Sequence, residues 1–137
     1  MTDQSCEKIQ NIIKSVPFMQ LLEMEVKALD GDTLTMDMPF ANQLSRMTKL
    51  DQFHGGAISA LIDSAATFLV VSKLEHGVPT INYRTDFLKP AIGGSGLSAK
   101  ATMRRLGRSV AVVDVDVTDD SGALIAIGRG TFGTSEG

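Results

Sequence analysis

The sequence predicts an α+β domain in which one curved, mainly antiparallel sheet wraps around one long central helix. Three observations support this prediction. An apolar stretch from Ala57 to Val71 is long enough for about four turns of helix and has only a narrow polar face. A hairpin-like segment precedes it, and four strand-like runs follow it. With 137 residues, 43% of them hydrophobic, the chain fits one domain spanning 1–137 with a sizeable core.

The first predicted elements are a short helix and a hairpin. Apolar residues recur at helical spacing between residues 7 and 16, and Pro17 then interrupts the pattern, so segment 1–16 is expected to hold one amphipathic helix. From Leu22 to Met38 apolar and polar side chains alternate on either side of a turn at 30–32. The alternation predicts that one face holds Met24, Val26 and Ala28, followed on the second strand by Leu34, Met36 and Met38.

The second half of the chain is predicted to form strands. Residues 39–53 have no clear period and are rich in polar side chains, which is typical of a functional loop. Within the third run after the helix, valines alternate with Asp114, Asp116 and Thr118, and this pattern indicates an antiparallel sheet with one dry face. Residues 134–137 are expected to be a frayed tail. The predicted strands are Thr80 to Leu88, Gly96 to Leu106, Ser109 to Thr118 and Leu124 to Phe132.

Composition excludes several classes of protein. The formal charge of -3 argues against a nucleic-acid partner, which would need clustered lysines and arginines. A single cysteine, Cys6, provides neither a disulfide framework nor a zinc cluster, so no metal is expected and a cytoplasmic location is favoured. The N-terminus lacks the pattern of a secretory signal. The apolar stretch is shorter than the roughly 20 residues of a membrane span and contains Asp63, so we interpret it as a core helix and expect no membrane partner.

A narrow polar stripe runs along the central helix, because Ser59, Asp63 and Thr67 recur at every fourth position. Burial raises the pKa of a carboxyl group, whereas hydroxyl donors one turn away oppose that shift. Such a balance tunes a general base or a nucleophile. Two alternatives stay open on the residues alone: Asp63 is a structural acid bonded to a neighbouring loop or subunit, and the two hydroxyls bond preceding carbonyls of their own helix.

The start of the helix carries the segment His54-Gly55-Gly56. Two glycines leave the backbone N–H groups uncovered, and with the helix dipole behind them these groups stabilise negative charge, such as the oxyanion formed from a thioester carbonyl. The alternative is a tight entry turn with His54 as a capping residue. About two helical turns, roughly 11 Å, separate these amides from Asp63. This spacing favours a site shared between antiparallel helices of two subunits.

His54-Gly55-Gly56, with Asp63 nine residues after the histidine, resembles the hotdog-fold acyl-CoA thioesterases of the phenylacetate-pathway and aroyl-CoA thioesterase type. The resemblance spans residues 16–133. Further segments that carry it are Asp86-Phe87-Leu88-Lys89-Pro90-Ala91 followed by Gly96, the turn Leu106-Gly107-Arg108, and Asp120-Ser121-Gly122.

The resemblance implies roles for individual residues. Asp63 matches the catalytic carboxylate, Gly55 the oxyanion amide, Thr67 the hydroxyl one turn beyond, and His54 the motif histidine that orients the loop. Many relatives carry Asn or Gln six residues before that histidine, where this chain has Thr48. Asn42 and Gln52 are candidates to replace it. The substrate site is accordingly expected to include Gly56, Thr48, Gln52, Ser59, Arg108 and Ser109.

The predicted function is hydrolysis of an acyl-CoA by a dimer or a dimer of dimers, with no cofactor because coenzyme A is part of the substrate. Arginines cluster around the turn 104–109, and arginine grips phosphate through paired hydrogen bonds, as in binding of the coenzyme A nucleotide. A solvated hairpin is the alternative for this cluster. Two other functions are considered: a hotdog dehydratase or hydratase, whose motifs are absent, and a catalytically silent acyl-CoA binding module, favoured by Thr48.

Overall fold

A computed structural model of the chain describes residues 3–92, 94 and 96–135. The elements follow the predicted order, with hairpin strands before a long helix and four strands after it. In chain order they are α1 (Asp3–Lys14), α2 (Pro17–Leu21), β1 (Glu25–Asp30), β2 (Thr33–Met38), a 3-10 helix (Asn42–Leu44), α3 (Gly55–Leu74), β3 (Thr80–Phe87), β4 (Leu97–Leu106), β5 (Val110–Asp119) and β6 (Leu124–Gly133).

The strands form one sheet in the order β1-β2-β4-β5-β6-β3, and every described pair is antiparallel. Helix α3 packs against β2, β3, β4, β5 and β6, so the sheet covers the helix along its length. The predicted α+β architecture is therefore confirmed. The predicted dry face is confirmed too, because Val113, Val115 and Val117 are buried while Asp116 is exposed.

Helix α3 forms the centre of the core. Its length and hydropathy would suit a membrane span, but 61% of the most apolar window is buried inside the domain. The helix begins after His54 and ends at Leu74, and the next residue, Glu75, adopts a left-handed conformation with φ of 60°. Its apolar composition therefore follows from burial under the sheet, as predicted for a core helix.

The single helix expected for segment 1–16 is present as α1, and a second short helix that was not predicted follows it. Helix α1 ends at Lys14, and Pro17 begins the short helix α2. Proline suits that first helical position because its missing N–H would have no partner there and its φ is already helical. The first helical pattern thus ends before Pro17, as predicted, but Pro17 also begins a helix that was not predicted. Residues 1 and 2 lie outside the described part of the chain.

The predicted hairpin is confirmed, but one face of β1 was assigned wrongly. A β-bulge between Val26 and Ala28 shifts the register, so two residues of β1 oppose one residue of β2. After the bulge Leu29 points into the core and is 6% exposed, whereas Ala28 faces solvent. Simple alternation misses this because a bulge exchanges the two faces beyond it. On β2, where no bulge occurs, Leu34, Met36 and Met38 are buried as predicted.

The C-terminal tail was predicted to begin too early. Thr134 is buried, and its backbone N–H donates to the carbonyl of Ser109 at 3.0 Å. Its hydroxyl donates to the carbonyl of Gly107 at 2.9 Å. The sheet end is therefore closed by a hydrogen-bonded residue after β6. Ser135 is exposed, and residues 136 and 137 lie outside the described residues.

Candidate active site

Asp63 lies half-buried in the middle of α3 and accepts two hydroxyl hydrogen bonds at one oxygen. The Oγ1 of Thr80, at the start of β3, donates to Asp63 Oδ1 at 3.1 Å, and the Oγ1 of Thr67 donates to it at 3.5 Å. Burial raises the pKa of Asp63 above its ordinary value of 3.8, and the two hydroxyl donors oppose that rise. The carboxylate is therefore tuned by opposing effects, as the polar stripe suggested.

The second oxygen of this carboxylate has a different environment. Among the described residues, no donor forms a hydrogen bond with Asp63 Oδ2. A carboxylate with one oxygen fixed and the other unpaired can accept a proton from a bound water molecule. Thr80 was not predicted from the sequence, because a threonine 17 residues away carries no periodic signal. Only the position of β3 beside α3 brings it to Asp63.

At the start of α3, the first amides differ in whether they have an acceptor. His54 Nδ1 accepts a hydrogen bond from the N–H of Gly56 at 2.7 Å. The carbonyl of His54 accepts from Ala57 at 3.0 Å and from Ile58 at 3.4 Å. Within the described part of the chain, the N–H of Gly55 has no acceptor. Of the two glycine amides expected to bind substrate, only that of Gly55 is thus available, and His54 is a helix cap.

A cavity of about 430 Å³ opens beside Gly55. The ring of Phe87, at the end of β3, lies across this glycine, because a Cβ at Gly55 would come 3.2 Å from the ring atom Cζ. A larger side chain would therefore crowd the ring and the space in front of the amide. The remaining walls are formed by Arg46, Gln52, Phe53, Ile58, Leu88, Lys89, Pro90 and Ala91.

Thr48 stands where many relatives carry Asn or Gln, and the structure shows which of Thr48, Asn42 and Gln52 lies near Gly55. Gln52 lines the cavity beside Gly55, and its Oε1 accepts a hydrogen bond from Arg46 Nε at 2.7 Å. Thr48 is exposed in the loop and lies outside the walls of that cavity. Asn42 is also exposed and begins the 3-10 helix. Of the three, Gln52 is the side chain that the fold places next to the free amide.

The remaining predicted residues are Ser59, midway between Gly55 and Asp63 on α3, and the turn residues Arg108 and Ser109. Ser59 is half-buried one helical turn before Asp63. The turn that holds Arg108 and Ser109 joins β4 to β5. The N–H of Thr134 donates to the carbonyl of Ser109. The N–H of Gly133 donates to the carbonyl of Pro79, which directly precedes β3. This turn therefore lies at the sheet end where β3 starts, and both of its predicted side chains are exposed there.

The chain thus presents two separate half-sites. One holds Asp63 with its two threonine donors, and the other holds Gly55 with Phe87 and Gln52. About two helical turns, roughly 11 Å, separate them along α3. None of the cavities described around Gly55 includes Asp63. In the described residues, no cluster of three or more His, Cys, Asp or Glu side chains could hold a metal ion.

Comparison with known proteins identifies the family. The family model of the thioesterase superfamily matches residues 52–126, more than half of the chain. The acyl-coenzyme A thioesterase PaaI of Escherichia coli is 31% identical over 111 residues, covering 76% of this chain and 77% of its own.

Solved structures agree with this result. The X-ray structure of one protein from the thioesterase superfamily superimposes with a TM-score of 0.91 at 25% identity, covering 97% of this chain and 100% of that one. The structure of the Escherichia coli PaaI protein gives a TM-score of 0.86 at 20% identity, covering 100% and 98%, and so supports the fold. The chain belongs to the thioesterase superfamily with the hotdog fold, as its motifs predicted, and it is a hydrolase.

Proposed function

We propose that this protein hydrolyses an acyl-CoA thioester to a carboxylic acid and coenzyme A. The observation that carries the proposal is the pair of complementary half-sites: a carboxylate with one unpaired oxygen, and a helix-terminal amide without an acceptor. These are the two groups that hydrolysis of a thioester needs. Family membership supports the same reaction, and the name of the Escherichia coli relative supports acyl-CoA as the substrate class.

In the proposed mechanism Asp63 acts as a general base. Its free oxygen takes a proton from a water molecule, whose oxygen attacks the thioester carbonyl carbon. The carbonyl oxygen becomes an oxyanion, which the N–H of Gly55 and the positive end of the α3 dipole stabilise. Collapse of this intermediate breaks the carbon–sulfur bond, and the protonated Asp63 returns its proton to the leaving sulfur. Thr80 and Thr67 hold the carboxylate in place during both transfers. No cofactor is needed for these steps.

We further propose that the complete site is shared between two copies of the chain. Asp63 of one subunit would work with Gly55 of the partner subunit, because two helical turns separate the two groups within one chain. The edge strand β3 supports this pairing, since it exposes large apolar side chains that a second copy would cover: Ile81 (56%), Tyr83 (41%) and Phe87 (54%). A dimer or a dimer of dimers fits this proposal, as does a cytoplasmic location.

Two sets of basic residues suit the coenzyme A nucleotide in this arrangement. Arg108 with Ser109 lies at the Asp63 end of the sheet, as the sequence predicted for the phosphate site. Arg46 and Lys89 border the cavity at Gly55. Because the shared site joins the Asp63 end of one subunit to the Gly55 end of the other, both sets would surround the same substrate. Arginine is suited to phosphate through its planar set of donors.

The variant Asp63→Asn tests this function. Asparagine keeps the shape of the side chain and loses the basic oxygen, so turnover of the best substrate should fall by at least roughly 100-fold. Substrate is first chosen by screening aryl, short and long acyl-CoA with the purified protein. Thermal melting measured on the same preparation should show no loss of stability at neutral pH, because the buried charge is removed while the shape is kept.

Two results would overturn the proposal. An Asp63→Asn protein that melts early and still turns over its substrate normally would make Asp63 a structural acid. Wild-type protein that binds acyl-CoA and hydrolyses none of the series would be a silent binding module instead.

A further inference from the structure

A second cavity, of about 480 Å³, lies between α1 and the C-terminal half of α3, and we call it the α1–α3 groove. Its floor is apolar, because Ile9, Phe68 and Val71 are almost fully buried beneath it. Ile12 stands on its outer wall and is 40% exposed. The other lining residues are Ser5, Lys8, Thr67, Ser72, Glu75, His76, Gly77 and Val78.

The α1–α3 groove adjoins the Asp63 half-site at Thr67. Thr67 belongs to both: it lines the groove, and its hydroxyl donates to Asp63 Oδ1 at 3.5 Å. One helical turn, about 5.4 Å along the axis, separates the two residues. A group attached to a carbonyl carbon near Asp63 would therefore lie about one helical turn from the groove wall at Thr67. The opposite end is polar, because Lys8 and Glu75 form an exposed ion pair at 3.1 Å there.

The dimensions of the groove favour an extended chain over a single ring. One wall runs along the end of α3 from Thr67 to the C-cap residue Glu75, which is eight residue steps or roughly 12 Å. A cavity of about 150 Å³ is enough to hold one benzene molecule. An aromatic acyl group would thus fill only a part of the groove and leave much of the apolar floor in contact with water. A flexible aliphatic chain covers the whole floor.

We propose that the α1–α3 groove binds the acyl chain of the substrate, and that this chain is a linear aliphatic group of medium length. This inference rests on the proposed acyl-CoA hydrolysis. The carbonyl lies at Asp63, the chain follows the floor of the groove, and its end stops at the Lys8–Glu75 ion pair, beyond which a longer chain would extend into solvent. The value of kcat/KM should therefore rise with the length of the acyl chain and then level off.

The test compares acetyl-, hexanoyl-, octanoyl-, dodecanoyl- and phenylacetyl-CoA. In the wild-type protein kcat/KM for octanoyl-CoA should exceed the values for acetyl- and phenylacetyl-CoA. Ile12→Trp places a large ring over the groove from a half-exposed position, and it should lower the ratio of kcat/KM for octanoyl-CoA to that for acetyl-CoA by at least about tenfold, since a single methylene in an apolar pocket already changes rates by that order.

Two further variants keep the test decisive. Leu21→Trp is the matched control, because Leu21 is an exposed helical leucine (58%) outside the groove, and its selectivity ratio should equal that of the wild type. Ile12→Ala opens the outer wall, so it should raise the ratio of kcat/KM for dodecanoyl-CoA to that for octanoyl-CoA. This second Ile12 variant retains a small side chain and answers the question if the tryptophan protein does not fold.

The outcomes separate the groove from the reaction. If the wild type and both Ile12 variants hydrolyse acyl-CoA with the same ratios of kcat/KM between chain lengths, the groove does not bind the acyl chain. The proposed function would still stand. A preference for phenylacetyl-CoA over octanoyl-CoA also overturns the inference about the groove. If the wild-type protein hydrolyses no acyl-CoA at all, the proposed function fails, and this inference fails with it.

Discussion

At the scale of single residues, the ionisation of Asp63 is set by burial and by two threonine hydroxyls that act in opposite directions. Burial raises its pKa above 3.8, and the bond from Thr80 is the larger of the two effects that lower it. As the proposed general base, Asp63 must be ionised, so kcat/KM should fall as pH drops through this raised pKa. Thr80→Val removes one of the stabilising donors and should move the acidic limb of the pH profile of kcat/KM to higher pH.

Thr80→Ser is the control for this prediction, because serine keeps a hydroxyl at the same position. Its acidic limb should stay close to that of the wild type. If the valine and serine variants both lose activity without any change in the position of the limb, Thr80 does not act through the ionisation of Asp63.

Gly55 combines a free amide with a close aromatic neighbour. A β-branched side chain at this position would meet the ring of Phe87 and fill the space in front of the N–H, so Gly55→Val should lower kcat strongly, by about tenfold or more. Gly55 is only half-buried and lies outside the apolar core, so the urea midpoint should change far less than kcat. Steady-state kinetics and urea unfolding on one preparation check both parts. An unchanged kcat would remove Gly55 from the mechanism.

At the scale of elements, the position of Asp63 depends on how closely α3 approaches β6. A Cβ at Gly128 would lie 2.7 Å from Ile62 Cγ2 and 2.9 Å from the backbone oxygen of Arg84. The second contact is with backbone and cannot be relieved by a rotamer change. Gly128→Ala should therefore reduce the free energy of unfolding by about 1–3 kcal/mol, as overpacking does in other cores.

Gly77→Ala provides the comparison for Gly128→Ala, because an added Cβ at Gly77 meets nothing within 4 Å. Its urea unfolding curve should match the wild type or show slightly higher stability, since alanine restricts the unfolded chain. Equal stability of the two alanine variants would mean that α3 adapts to a side chain at Gly128, and the helix would then not fix Asp63 against the sheet.

Regular elements could be predicted from the sequence because their signals are local. The helix α3 and the four strands after it lie within a few residues of their predicted bounds, and the stripe through Asp63 is a consequence of helical spacing alone. The bulge in β1 depends on the register with another strand, and the bond from Thr80 depends on the order of strands in the sheet. Both are non-local, so neither has a signature within its own segment.

The position of Gln52, rather than Thr48, beside Gly55 could not be predicted for the same reason, because it depends on non-local contacts. Both residues belong to a loop without periodicity, and only the fold shows which one turns toward the helix start. In that loop, Gln52 pairs with Ile92 across an isolated bridge, and its neighbour Phe53 is buried. These contacts anchor residue 52 to the region after β3. Sequence spacing alone gives no information about such an anchor.

At the scale of the whole molecule, the proposed shared site would make catalysis a property of the assembly. Asp63 and the start of β3 lie toward one end of the domain, while Gly55 and the end of β3 lie toward the other. Two copies that meet antiparallel along β3 would bring the start of one strand to the end of the other. Each dimer would then hold two complete sites, each built from two chains.

Subunit mixing gives a quantitative test of this arrangement. Asp63→Asn lacks the base and keeps the amide, whereas Gly55→Val crowds the amide and keeps the base, so each variant alone should be nearly inactive. When equal amounts are unfolded together and refolded, half of the dimers contain one chain of each kind, and each mixed dimer has one intact site of two. The mixture should therefore recover about a quarter of wild-type activity. Light scattering on the same sample should show a dimer or larger. Activity that stays at the level of the separate variants, or an active monomer, would show that each chain holds its own complete site.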